Sequence, residues 1–416
     1  MLFRDIWLEG TRQDLRVRGS IIDAIGPAHT IQVDDGETIQ SGGLLCSHFA
    51  EPHVHLDATQ LGQRAPNRSG TLREGIANWS ELRDSLTHDD VITRACQTVR
   101  WYVAQGTTRI RTHVDTQSHT AARALLELRD ELTRGVPGIL ADGHPVPVEL
   151  QVVAFPQEGI LRAPGRADNW REVVQMGVDA VGAIPHFERT RVEGEESLRM
   201  ALDLASRRGL QVDVHCDETD DPSSRFLEVL CAETTNHGLG GQVLAGHCTA
   251  MHSYPNPHAA KVIEIVRESD VQIVTNPLDN VVLQGRYSGY PRVRGLTRVD
   301  ELWDAGVRVA IGHDSVVDPW YRLGTASMLD PAYMAIHLGH LTSEAHMHRA
   351  LQALVEDNHV PFGQPPVIAE GAPADLLFFD ASDPIELFRK RPLPRVYSQG
   401  RELEISSELQ REIGRG

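Results

Sequence analysis

Long apolar runs are missing from this 416-residue sequence. None approaches the ~18 residues that a bilayer-spanning helix needs, so no membrane partner is expected. Positive charge is also in deficit, with 40 basic residues against 58 acidic ones and a net charge of −18. Phosphate backbones and anionic lipid surfaces both call for a basic face, so nucleic acid is not expected as a partner either. Neither G-x-G-x-x-G nor G-x-x-x-x-G-K-[ST] occurs, and the G-x-S-x-G turn of serine hydrolases is absent. Five cysteines, Cys46, Cys96, Cys216, Cys231 and Cys248, form no C-x-x-C pair. That pattern fits reduced thiols in a cytoplasmic protein. Met1-Leu2-Phe3-Arg4-Asp5 meets charge at once, so no secretory leader is expected. What remains, 41% hydrophobic and 24% charged, is ordinary globular composition.

The organisation changes along the chain. Short strands broken by turns are predicted at Asp5–Leu8, Leu15–Val17, Ser20–Ile25 and Thr38–Ile39, and again at Ala374–Phe379, Arg395–Ser398 and Arg401–Ile405. Neither end has enough residues for a core of its own, so the two are expected to pair. Between them, apolar β-branched runs alternate with helical stretches. Strands are predicted at Ala50–His55, Arg109–Val114, Glu149–Phe155, Ala180–Ile184, Gln211–His215, Gln242–His247, Val271–Thr275 and Arg308–Gly312. Helices are predicted at Thr87–Gln105, Thr120–Thr133, Glu195–Arg208, Ser223–Asn236, Ala259–Ser269 and Val299–Asp304. Continuous apolar strands alternating with helices give a parallel sheet covered on its faces. The expected class is α/β: a (β/α)8 TIM-type barrel over residues 49–365, with a small β-sandwich domain formed by residues 1–48 and 366–416.

Barrel chemistry sits at the C-terminal ends of the strands. The first strand ends in Glu51-Pro52-His53-Val54-His55, and alternate residues face the same way, so two imidazoles project together. The fifth ends in His215-Cys216-Asp217-Glu218, the sixth in His247 and the eighth in His313-Asp314. Each alone reads equally well as a loop contact or a helix cap. Together they gather imidazoles and a carboxylate on one rim, a donor set that suits Zn2+ or Fe2+.

The sequence resembles the amidohydrolase superfamily, and within it the bacterial cytosine deaminases. Glu51–Gln60, Ser69–Gly75, Thr87–Asp90, Thr112–Asp115, Val152–Gly159, Val181–Glu188, Val214–Glu218, Thr249–Tyr254, Gln284–Arg286 and Asp318–Thr325 carry the resemblance. It implies that His53, His55, His215 and Asp314 bind a divalent metal ion. Many members of the superfamily hold two metals bridged by a carbamylated lysine on the fourth strand. Here Lys261 and Lys390 are the only lysines, and neither is near Ala180–Ile184, which points to one ion per chain. The resemblance further implies roles for other residues. Asp314 takes a proton from the metal-activated water, and Glu218 shuttles it to the ring and the leaving amine. His247 steadies the developing charge. Gln157 reads the substrate's carbonyl and ring N–H, and Trp320 walls the pocket.

One position departs from the family pattern. Cytosine deaminases carry a second Asp directly after the metal-binding one, and this sequence has Ser315. A smaller, uncharged residue facing the ring would make room, so 5-methylcytosine joins cytosine as an expected substrate. The segment Cys46-Ser47-His48-Phe49-Ala50 is also unusual for the family, and the sequence does not show what it does. His186-Phe187-Glu188 matches the H-x-E of polynucleotide deaminases, but their P-C-x-x-C is absent. The expected function is therefore hydrolytic deamination of a free nucleobase, with a homo-oligomer implied by the resemblance. The rivals are an aminohydrolase of isoguanine, creatinine or an aminotriazine, a ring-opening cyclic-amide hydrolase, and a non-catalytic binding module.

Overall fold

The computed structural model describes residues 1–135 and 146–414. At the N-terminus lie β1 (Leu2–Leu8), β2 (Thr11–Arg18), β3 (Ile21–Pro27), β4 (Ile39–Ser41) and β5 (Leu44–Ser47). The middle supplies β6 (Phe49–Val54), β7 (Thr107–Asp115), β8 (Glu149–Phe155), β9 (Ala180–Ala183), β10 (Gln211–Cys216), β11 (Val243–His247), β12 (Gln272–Thr275) and β13 (Val309–Ile311). β14 (Leu376–Phe379), β15 (Arg395–Ser398) and β16 (Arg401–Glu402) end the series.

β6 to β13 hydrogen-bond in chain order, all parallel, with helices between them. Every barrel strand predicted from the sequence is present, with its ends shifted by at most two residues. The barrel closes through a parallel bridge between Val54 and Asp314. There the Asp314 N–H donates to the His53 carbonyl at 2.8 Å, and the His55 N–H donates to the Asp314 carbonyl at 3.2 Å. The residues expected to hold a metal are thus the ones that join the first strand to the last.

Strand faces sort by chemistry. Val243 and Ala245 pack against the helical layer, and Leu244, Val274 and Ala310 form a small cluster of their own. β7, β8 and β10 add a polar group. Arg111 donates to Gln151 Oε1 at 2.9 Å and to Asp213 at 3.1 Å, and also reaches Gln211. The buried guanidinium is satisfied by these acceptors, as burial of a charge demands.

The two chain ends meet in a sheet of their own. Its strands form one hydrogen-bonded series, β16-β15-β14-β5-β1-β2-β3, with β4 on β1. Phe3, Ile6, Leu15, Ile22, Leu45, Leu376, Phe378 and Tyr397 build its core. The C-terminal stretch also contains helices Pro384–Lys390 and Ser407–Glu412 that the strand pattern did not reveal. His48 is the one residue between β5 of this sheet and β6 of the barrel. That crossing is the structural role of the Cys46–Ala50 segment.

Candidate metal centre

His53 and His55 reach the mouth from the end of β6, His215 from β10 and Asp314 from just beyond β13. All four are buried. His55 Nε2 lies 3.1 Å from His215 Nε2 and 3.4 Å from Asp314 Oδ1, and His53 Nε2 is 3.6 Å from the same oxygen. Ligands on one tetrahedral ion at about 2.0–2.1 Å stand about 3.3–3.4 Å apart, so these spacings fit a shared cation. Both ring nitrogens of His53 and Nδ1 of His215 are buried without a hydrogen-bond partner among the described residues. Burial holds His53, His55 and His215 well below the usual histidine range, keeping them neutral as metal ligands must be. Burial, with Asp279 and Glu218 nearby, pushes Asp314 the other way. A divalent cation would relieve that crowding of acid.

The remaining predicted residues converge on the same mouth. Glu218 is 6% exposed, and burial raises its carboxyl to about 8. Its Oε1 is 3.7 Å from His247 Nδ1, which is 3.9 Å from Asp314 Oδ2. His247 reaches this position by a backbone device. Gly246 faces inward, where an added Cβ would lie 3.1 Å from the His53 ring, so plain alternation would turn His247 outward. A φ of 68° turns it back. Asp217, Cys248 and Asp314 are left-handed too, with φ of 49°, 49° and 69°. Such strain in non-glycine residues gathers where function requires it. Gln157, just past β8, is buried. The Trp320 ring is 5.9 Å from His55 and 6.3 Å from Trp79. Ser315 turns its hydroxyl away to donate to Asp279 Oδ2 at 2.6 Å. The carboxyl missing at 315 therefore stands at 279.

Four residues here were not among the predicted ones. His113, on β7, has its ring 4.1 Å from His53 and 4.7 Å from His215, and its Nε2 is 3.3 Å from Asp213 Oδ1. With His53 and His215 it forms a second group whose nitrogens all lie within 4.8 Å. The signal was available, because His113 and Asp115 alternate on a strand as His53 and His55 do. Asn276, Asp279 and Asn280 follow β12, and both asparagines approach His247. Nothing in an Asn-Pro step distinguishes such residues from a helix start.

The sequence profile of the amidohydrolase family matches residues 41–403. The structure of a 5-methylcytosine deaminase from Klebsiella pneumoniae, liganded with 5-fluorocytosine, superposes with a TM-score of 0.88. It shares 36% identity and covers 98% of each chain. A pterin deaminase from Rhizobium rhizogenes is 28% identical over 416 residues, 94% of this chain and 90% of that one. An N-isopropylammelide isopropyl amidohydrolase from a Pseudomonas species is 25% identical over 300 residues, 70% of this chain and 68% of that one. A profile match across most of the sequence, on a barrel whose rim gathers metal-binding side chains, means that this chain belongs to the amidohydrolase family and is a metal-dependent hydrolase of C–N bonds.

Proposed function

We propose that the protein hydrolytically deaminates a free pyrimidine base, cytosine or a 5-substituted cytosine such as 5-methylcytosine. The products are ammonia and uracil or thymine. One observation carries this reading: a neutral three-histidine, one-carboxylate cluster shares its buried mouth with Glu218 and His247. The likeness to the Klebsiella 5-methylcytosine deaminase supports the choice of ring. The catalytic unit is assigned to residues 49–365, and the composite β unit to 1–48 and 366–416.

A divalent ion, Zn2+ or Fe2+, held by His53, His55, His215 and Asp314 would lower the pKa of a water toward ~7. Asp314 is placed to accept a proton from the water that would attack the ring carbon bearing the amine. Glu218 is protonated near neutrality because burial raises it to about 8. It donates to the ring nitrogen as the carbon becomes tetrahedral. Left as a carboxylate, it takes the proton held by Asp314 and delivers it to the amine, so that the C–N bond breaks and ammonia leaves; the proton of the new hydroxyl, lost as the carbonyl forms, returns Glu218 to its acid form. His247 offers an N–H to the charge that develops on oxygen. Gln157 has a donor and an acceptor for the ring amide edge. Trp320 forms the wall beside His55, its ring tilted against the imidazole.

A second reading is a two-ring aminopyrimidine such as a pterin. A cavity of about 830 Å³, lined in part by Phe187, Leu283, Tyr287 and Arg286, adjoins the site at Glu218 and offers room for a second ring. The likeness to the Rhizobium pterin deaminase supports it. Ammonia release from metal-analysed protein decides between the two, using cytosine, 5-methylcytosine, isoguanine, creatinine and pterin, with Glu218→Gln as control. The expected outcome is release from a pyrimidine base and a loss of about 10²–10⁴-fold in the control. Release from pterin alone would favour the second reading. Silence across the panel with one ion bound per chain would mean that the ring is wrong.

A further inference from the structure

His247 has a set of partners that the reaction scheme does not use. Asn280 Nδ2 lies 3.0 Å from His247 Nδ1, whereas Asn276 Nδ2 lies between the two ring nitrogens, 3.4 Å from Nδ1 and 3.5 Å from Nε2, so Asn280 is the amide that singles out Nδ1. Glu218 Oε1 and Asp314 Oδ2, at 3.7 and 3.9 Å, fall outside hydrogen-bond range. The amides are therefore the groups that Nδ1 meets.

Both asparagines come from one short element. Asn276 stands at the N-cap of the helix Pro277–Leu283, and Asn280 follows it one turn later on the same side. Asparagine at an N-cap normally accepts a backbone hydrogen bond, yet Asn276 makes none. Its Oδ1 instead faces Gly312, where an added Cβ would meet it at 2.3 Å, and its amide nitrogen faces His247. Asn280 is fully buried, with its Oδ1 left without a partner among the described residues. A buried amide that leaves its acceptor idle while its donor sits on an imidazole is holding that imidazole.

A neutral imidazole has one N–H and one lone pair, and the hydrogen bond at one nitrogen decides the state of the other. We propose that Asn280 is the positioning residue for His247, donating to Nδ1 and so keeping the ring proton on Nε2. The kinetic consequence rests on the deaminase reading above. The tautomer itself is a property of the folded chain.

The test uses full-length, Zn2+-loaded protein labelled with 15N-histidine, with the His247 signals assigned by difference from His247→Gln. The expected spectrum has a lone-pair-bearing Nδ1 and a protonated Nε2. An aspartate only accepts, so in Asn280→Asp the pattern inverts. The turnover number on the active base then falls by about 10³–10⁴-fold, the scale of a mis-set imidazole tautomer, with KM little changed. Asn280→Ala shows a mixture of tautomers and a smaller loss. A wild-type ring protonated on Nδ1 overturns the proposal, and that spectrum decides even if the Asp variant does not fold. An Asn280→Asp protein that keeps the wild-type pattern also overturns it. Expected spectra without ammonia release from any base support the tautomer assignment and sink the deaminase reading.

Discussion

Ser315 shows how a residue's meaning depends on its partner. On sequence alone it is a lost anion. In the structure its hydroxyl donates to Asp279, which is 1% exposed and has Oδ1 without a partner among the described residues. Burial, followed by the neighbouring Asp318 carboxyl, pushes Asp279 well above the usual carboxylate range. A second acid at 315 would bury like charges against each other. Ser315→Asp is therefore expected to lower unfolding stability by about 2 kcal/mol or more, read as a fall in the urea midpoint. The double variant Asp279→Ser, Ser315→Asp moves the carboxyl across the pair and should recover most of that loss. It is also the cleaner probe of whether an acid at 315 favours cytosine over 5-methylcytosine. A single variant as stable as its parent would show that the two side chains do not share this corner. The site was legible where chemistry leaves a pattern, as in the histidine pair of β6 and His215-Cys216-Asp217-Glu218. It was not legible at Asp279, Asn276 and Asn280, because their importance lies in what they touch across the barrel.

At the scale of elements, the helix Leu72–Leu82 sets one wall of the mouth. Thr71 caps it by accepting from the Glu74 N–H, and Glu74 accepts in turn from the Arg68 and Ser69 N–H groups. Trp79 on this helix donates to Asp115 Oδ2 at 2.8 Å, which ties the helix to the end of β7. Gly75 then lets Trp320 come close, since a Cβ there would lie 2.4 Å from Trp320 Cδ1. Gly75→Ala is expected to cost about 1–3 kcal/mol of stability by overpacking. It should also swing the indole against His55, raising KM by about tenfold with a smaller change in turnover number. Steady-state kinetics with tryptophan fluorescence checks this, and unchanged KM and emission would remove Trp320 from the wall. The barrel strands were readable because β-branched apolar runs dominate them. His247 was placed on the rim by its strand position, but its inward turn depends on a left-handed φ that no local pattern announces.

At the scale of the whole molecule, the barrel and the chain-end sheet are joined through buried histidines. His48 Nε2 donates to the Tyr397 carbonyl of β15 at 2.8 Å, and Thr108 Oγ1 of β7 lies 3.2 Å from its Nδ1. His359 Nε2 donates to the His48 carbonyl at 3.0 Å, while Arg109 donates to His359 Nδ1 at 3.2 Å. Every ring nitrogen is thus committed to the neutral form, and a guanidinium faces the one lone pair at His359. Burial, reinforced by Arg109, lowers His359 to about 3, and burial lowers His48 as well. In the unfolded chain each would take a proton near ~6.5. These two groups therefore stabilise the fold above ~6.5, and that contribution is lost as pH falls from ~6.5 towards the folded value, by up to about 1.4 kcal/mol per pH unit for each group. Asp357, raised to about 6 by burial, has the opposite sign and loses its contribution as pH rises through 6. A difference between variant and parent isolates the histidine effect from this background. His359→Gln keeps a donor for the His48 carbonyl and an acceptor for Arg109, but it cannot take the proton. Its melting temperature should fall less steeply than the parent's between pH 6.5 and pH 4, and the two curves should run parallel above pH 7. Parallel curves throughout the acid range would mean that the junction does not set the acid limit of the fold.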